Sequence, residues 1–283
     1  LGSKRRMKIT LKGVRGSIPT TGAEMAYFGG STSCVQVSEG DCFLVLDGGS
    51  GMQNVNLHGK TSGRVDILLT HLHLDHIQGL GFFSPLFNPA MEVHIWAPTS
   101  ATQSLHARLS RYLSPPLFPV LIRDLPCKLT LHDISNSNFD IGPFSIKSRF
   151  VIHPGPTVGF RISGTNAVLA YIPDHEPALG PEGLVDDPRW ISGFDIVENA
   201  DLLLHDAQYT GNEYRNRIGW GHSTMEDAIR LANLCGVKRL LLTHHDPSHT
   251  DARLNELYAE LRNAVHSSVP YDLAREGMEI DLG

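Results

Sequence analysis

From Met7 onward, apolar and polar side chains alternate in short runs, the period-two signature of strands covered on one or both faces. Strands are predicted over Lys8–Leu11, Ser33–Val37 and Phe43–Leu46, divided by glycine-bearing turns that suggest an antiparallel start, with Asp47-Gly-Gly-Ser-Gly51 closing the third. Val65–Leu69 is a continuous apolar run of buried-strand length, and a helix is expected from about Ile77. Val93–Ala97 reads as a further strand. Ser100–Tyr112 reads as an amphipathic helix, with Leu105 and Leu109 at helical spacing, stopped by the proline-rich Ser114–Val120. Strands follow at Phe144–Phe150, Val158–Ile162, Ala167–Ile172, Asp201–His205 and Arg239–Thr243, with helices at Thr224–Cys235 and Asp251–Ala264. No long linker, charge run, low-complexity tract or repeat interrupts this alternation, so residues 7–283 are expected to form one α/β domain of packed layers. Residues 1–6 carry no such pattern and are expected to be a tag or disordered extension.

Composition narrows the function. The 283 residues are 41% hydrophobic and 19% charged, the profile of a globular protein with a sizeable core. A net charge of −6 offers no general attraction for nucleic acid or an anionic membrane, so an anionic substrate must be held by local cations or metal. Cys34, Cys42, Cys127 and Cys235 lie far apart, and neither a secretory leader nor a membrane-spanning run is legible, which leads to the expectation of a cytoplasmic protein with reduced thiols.

Ile67-Leu-Leu-Thr-His-Leu-His-Leu-Asp-His-Ile77 holds the densest chemistry. His71 and His73 follow a buried strand at period two, so both imidazoles leave one side, where they can share a metal. Asp75 and His76 fall where the chain must turn, placed for a second metal. Imidazole plus carboxylate suits zinc, and also manganese or iron. Three other apolar strands stop on ligand-type residues: Phe150-Val-Ile-His153, Val168-Leu-Ala-Tyr-Ile-Pro-Asp174 and Leu240-Leu-Leu-Thr-His244. Layered α/β folds collect residues from such strand ends at one edge. Two metals in contact with one water would make hydroxide available at neutral pH and neutralise a phosphodiester. No G-x-S-x-G nucleophile elbow competes, and the glycine stretches Gly29-Gly30 and Gly48–Gly51 fit neither a P-loop nor a dinucleotide fingerprint. Asp47 is placed either to hydrogen-bond a ligand histidine or to form an Asx turn before Gly48.

In this order, the blocks resemble the metallo-β-lactamase-fold superfamily, and more closely its ribonuclease Z and phosphodiesterase branch, over nearly the whole chain from Met7. The resemblance implies a four-layered αββα sandwich with two divalent cations, zinc first among them, at the sheet edge. It implies His71, His73 and His153 around one metal, Asp75, His76 and His244 around the other, and Asp174 bridging; His245 lies one place past the matching position and is left out. Gly221-His-Ser-Thr224 is similar to the block whose histidine protonates the leaving oxygen, a role that falls on His222, while Ser223 or Thr224 can still cap the following helix. Asp206, in His205-Asp-Ala207 where ribonuclease Z has Glu, is the expected partner of His222, and Asp75 the group that orients the attacking water or takes its proton. Arg15, Tyr209 and Trp220 are candidate substrate contacts. Ribonuclease Z grips tRNA with a glycine-rich basic arm that is not legible here. The segment 81–120, with Gly81-Phe-Phe-Ser-Pro-Leu-Phe87 and Pro115-Pro-Leu-Phe-Pro119, is instead aromatic and proline-rich, suited to walling a compact pocket. A small or cyclic-nucleotide phosphodiester is therefore expected as substrate, with RNA or DNA end processing as the alternative and a non-catalytic metal-containing regulatory module as an alternative of another class. A homodimer is an expected assembly.

Overall fold

The computed structural model describes residues 6–57, 59–177 and 183–283; the expected extension falls outside it except for Arg6. Among the described residues, fourteen strands form two seven-stranded sheets. The first sheet contains β1 (Met7–Gly13), β2 (Cys34–Glu39), β3 (Cys42–Leu46), β4 (Gly63–Leu68), β5 (Met91–Pro98) and β6 (Lys128–Ile134), and the second β7 (Asn138–Ile141), β8 (Phe144–Phe150), β9 (Val158–Ser163), β10 (Val168–Ile172), β11 (Leu202–Asp206), β12 (Leu240–Thr243) and β13 (Tyr271–Leu273); the last strand, β14 (Glu279–Leu282), returns to the first sheet beside β1. The orders are β14-β1-β2-β3-β4-β5-β6 and β13-β12-β11-β10-β9-β8-β7. As expected, β1, β2 and β3 pair antiparallel, while β3 to β6 and β10 to β13 are parallel.

Alternation along single strands builds the layers. On β3, Leu44 and Leu46 face the core between the sheets, while Phe43 and Val45 face the outer core under the segments at 74–87 and 105–109. Likewise Leu169 and Tyr171 on β10 point between the sheets, and Ala170 and Ile172 point outward against helices Met225–Leu234 and Asp251–Ala264. Strands buried on both faces read as continuous apolar runs. The result is an αββα sandwich.

Two expected helices differ. The helix expected from Ile77 is one turn, Leu74–Ile77, lying within the histidine block, because Gly79, Gly81 and Pro85 break the chain into short 3-10 turns beyond it. The helix expected over Ser100–Tyr112 forms only at Leu105–Leu109: Ser100 Oγ is hydrogen-bonded by the Thr102 N–H, and Ser104 supplies the cap, accepting from Ala107 N at 3.2 Å. By contrast, Thr224 and Thr250 cap Met225–Leu234 and Asp251–Ala264 through their side chains.

Candidate metal centre

Carboxyl ends of strands from both sheets converge at one edge. Beyond β4 the chain delivers Thr70 and His71, and the turn that follows, with His73 at the N-cap of Leu74–Ile77, swings Asp75 and His76 inward. His153 follows β8, Asp174 follows β10, Asp206 ends β11 and His244 follows β12. His244 adopts φ 61°, and Gly16 lies so close that a Cβ there would come within 2.5 Å of its ring.

Ligand atoms of His71, His73 and His153 all lie within 4.8 Å of one another, and so do those of Asp75, His76 and His244. Asp174 lies between the two groups: its Oδ2 is 3.8 Å from both His71 Nε2 and His153 Nε2, and its Oδ1 is 3.0 Å from His76 Nε2 and 3.4 Å from His244 Nε2. His71 Nε2 is buried and makes no hydrogen bond, and the buried His76 Nε2 and Asp174 Oδ1 face each other at 3.0 Å without a well-aligned one. Polar atoms stranded in this way carry a desolvation penalty that a cation would relieve, so this donor set fits two divalent ions.

The outward nitrogens are fixed. His76 Nδ1 sits 2.9 Å from Asp47 Oδ2, which also accepts from Tyr171 Oη at 2.9 Å, while Asp47 Oδ1 accepts from Thr70 N at 2.7 Å. Of the two readings of Asp47, the structure thus shows the hydrogen bond to a histidine of the cluster, with the residue at φ 58°. His153 Nδ1 donates to Gly221 O at 2.8 Å, and Thr70 Oγ1 lies 3.1 Å from His71 Nδ1.

Burial drives His71, His73 and His153 toward the neutral form, the one in which an imidazole can bind a cation. It opposes charge on His76 and His244 too, but Asp174 and Asp75 outweigh it, holding His76 well above the ordinary range and His244 up to about 9. Burial would raise the two carboxyls, yet the surrounding imidazoles pull Asp75 and Asp174 well below the usual range. A bound cation would take the place of these protons.

Beside the cluster, His222 Nδ1 lies 2.7 Å from Asp206 Oδ2, and Asp206 is further held by His175 N at 3.1 Å and Gln208 N at 3.0 Å. His222 stacks on His244, with centroids 4.9 Å apart. Tyr209 is buried edge-on to His222 with Arg217 over its face, so it supports the imidazole, whereas Trp220 is exposed at the rim. Arg15 does not reach the site: wholly buried, it donates to Gly29 O, Asp246 O and His249 O, which leaves no guanidinium group accessible to a substrate. His245 turns away, with Nε2 donating to Ala274 O at 2.8 Å.

Glu176 was not anticipated. Buried two residues after Asp174, it accepts from Tyr214 Oη, Gly219 N and Gly221 N, each at 2.7 Å, and so secures the loop that presents His222. Its three donors lie about forty residues further along the chain, and no local spacing signals them. In the segment 81–120, Phe118 packs into the core against Phe82 and Phe87, while Tyr112 and Leu117 line a cleft of about 350 Å³ that opens at His71 and His73.

A profile of the beta-lactamase superfamily domain matches residues 45–245, spanning the whole cluster from Asp47 to His244. The chain belongs to the metallo-β-lactamase superfamily. Within the superfamily it falls in the ribonuclease Z and phosphodiesterase-like branch, and it is a hydrolase. It is 26% identical to ribonuclease Z of Haloarcula marismortui over 318 aligned positions, covering 96% of each chain. Among solved structures it resembles the metallo-β-lactamase-fold protein YhfI from Bacillus subtilis (21% identity, TM-score 0.71, 98% and 100% covered). It also resembles a diphosphatase of the PhnP family (17% identity, TM-score 0.70, 98% and 97% covered). Among the described residues no helix is long and apolar enough to cross a membrane.

Proposed function

We propose that this metallo-β-lactamase-superfamily protein is a phosphodiesterase acting on small or cyclic-nucleotide phosphodiesters with two divalent cations, zinc first among them. The reading is carried by the His222–Asp206 pair, 2.7 Å apart, set against the two ligand triads. His71, His73 and His153 would hold one cation and Asp75, His76 and His244 the other, with Asp174 between them. When bound, such a pair supplies a nucleophile at neutral pH and neutralises charge building on the phosphate.

The protein's own groups move the protons. Asp75 Oδ2, oriented by Ser17 N at 2.8 Å, takes the proton of the attacking water. Asp206 fixes the proton of His222 on Nδ1 when the ring is neutral, so Nε2 delivers the second proton to the departing oxygen as the phosphorus–oxygen bond breaks. No covalent enzyme intermediate forms. RNA end processing is the second reading, favoured by relatives named ribonuclease Z that align along almost the whole chain. A non-catalytic role would not require the His222–Asp206 pair in addition to a full ligand set.

Zinc-, manganese- or iron(II)-reconstituted protein should hydrolyse bis-p-nitrophenyl phosphate and a thymidine dinucleotide. Failure with all three metals would sink the proposal, whereas cleavage confined to structured RNA ends would favour the second reading.

A further inference from the structure

The cleft at His71 and His73 is lined by a guanidinium that has no partner among the described residues. Its walls include Leu74 and Leu117, 59% and 70% exposed, together with Tyr112, Arg108 and Arg111. Arg108 is committed to the fold, since its Nη2 donates to Pro98 O at 2.6 Å and lies 3.4 Å from Asp133. Arg111 is not. Among the described residues its guanidinium makes no hydrogen bond or ion pair, although Arg64, Arg149, Arg189, Arg230 and Arg253 each lie against a carboxylate. A chain with net charge −6 does not attract anions in general, so an unpaired guanidinium in the cleft that holds two metal-ligating histidines is a local exception with a directional consequence.

Resting on the phosphodiesterase reading, we propose that this cleft takes a nucleoside whose second phosphate is held by Arg111 while the scissile phosphate lies at the metal cluster. The exposed faces of Leu74 and Leu117 cover the planar base. A cleft of about 350 Å³ suits one nucleotide unit, not a folded RNA stem. The substrate class is thus a phosphodiester that bears a further phosphate on its nucleoside, such as a 3′-phosphorylated nucleotide ester or a short oligonucleotide.

Calorimetry on zinc-loaded protein with adenosine 3′,5′-bisphosphate and adenosine 5′-monophosphate tests this directly. Wild-type protein should bind the bisphosphate about tenfold more tightly, the scale of one charge-assisted contact. In Arg111→Ala that ratio should fall close to one, and Arg111→Lys should restore part of it. Equal affinities in wild type, or a preference that survives in Arg111→Ala, overturn the proposal. Wild-type turnover of bis-p-nitrophenyl phosphate tests the phosphodiesterase reading separately, since that ester has no second phosphate. Bisphosphate preference without any turnover would sink that reading and leave Arg111 as an anion-binding residue.

Discussion

Asp206→Asn gives the sharpest test of the proton-transfer assignment. The substitution keeps the shape of a wholly buried side chain but leaves one acceptor oxygen where there were two, so with its amide NH2 in place of Oδ1 it still serves His175 N and His222 Nδ1 and loses Gln208 N, and it removes the negative charge 2.7 Å from His222 Nδ1. A charge-assisted hydrogen bond of this kind is worth about 2–3 kcal/mol where charge develops in the transition state, so its loss should slow the proton-delivery step by roughly 30- to 150-fold. The loss must depend on the leaving group. A nucleoside alkoxide needs a proton as it departs, whereas p-nitrophenolate leaves without one. The assay compares kcat for a thymidine dinucleotide and for bis-p-nitrophenyl phosphate in wild type, Asp206→Asn and His222→Ala, all with the same metal content. The dinucleotide rate should collapse in both variants while the p-nitrophenyl rate changes by a few-fold at most. Equal losses on both substrates would refute proton delivery by this pair and make it a ground-state binding or structural element.

Replacing Asp47 by Asn preserves a side chain tolerant of φ 58° yet deprives His76 Nδ1 of its carboxylate partner, and should weaken affinity for one metal about 10- to 100-fold in chelator competition. Gly221→Ala should lower Tm and impair metal binding together. At φ 92° its Cβ would stand 2.2 Å from Pro154 Cδ and 2.4 Å from His153 Nδ1, and the backbone conformation alone costs about 1–3 kcal/mol. His245 supplies a pH signature: burial lowers it from its ordinary 6.5 to about 3, so the unfolded chain takes up the proton first as pH falls. Stability from this group is complete above 6.5 and is lost as pH drops toward 3, at up to about 1.4 kcal/mol per pH unit. Urea midpoints of His245→Gln between pH 7 and 4 should therefore fall less steeply than those of wild type, and parallel slopes would contradict this.

Much of the centre was legible before any coordinates because its signals are local. A buried strand that stops on a ligand-type side chain declares itself within a few residues, as at His71, His153, Asp174 and His244, and the cap Thr224 marks a helix start by a contact only three residues long. Signals that depend on distant partners were not legible. The edge strands β6, β7, β13 and β14 escaped notice because an edge strand is paired on one side only and its apolar pattern is correspondingly thin. Nothing near Arg15 tells that its guanidinium is enclosed by carbonyls of Asp246 and His249, more than 200 positions away. The sequence by itself determined the chemical inventory and the strands that carry it, since both are written in residue type and short-range periodicity. Only the tertiary structure decided that Asp174 stands between the two triads, that Asp206 reaches His222, that Glu176 clamps the loop and that Arg111 is left without a partner among the described residues. Those are relations across two sheets, set by long-range packing, which no window of neighbouring residues contains.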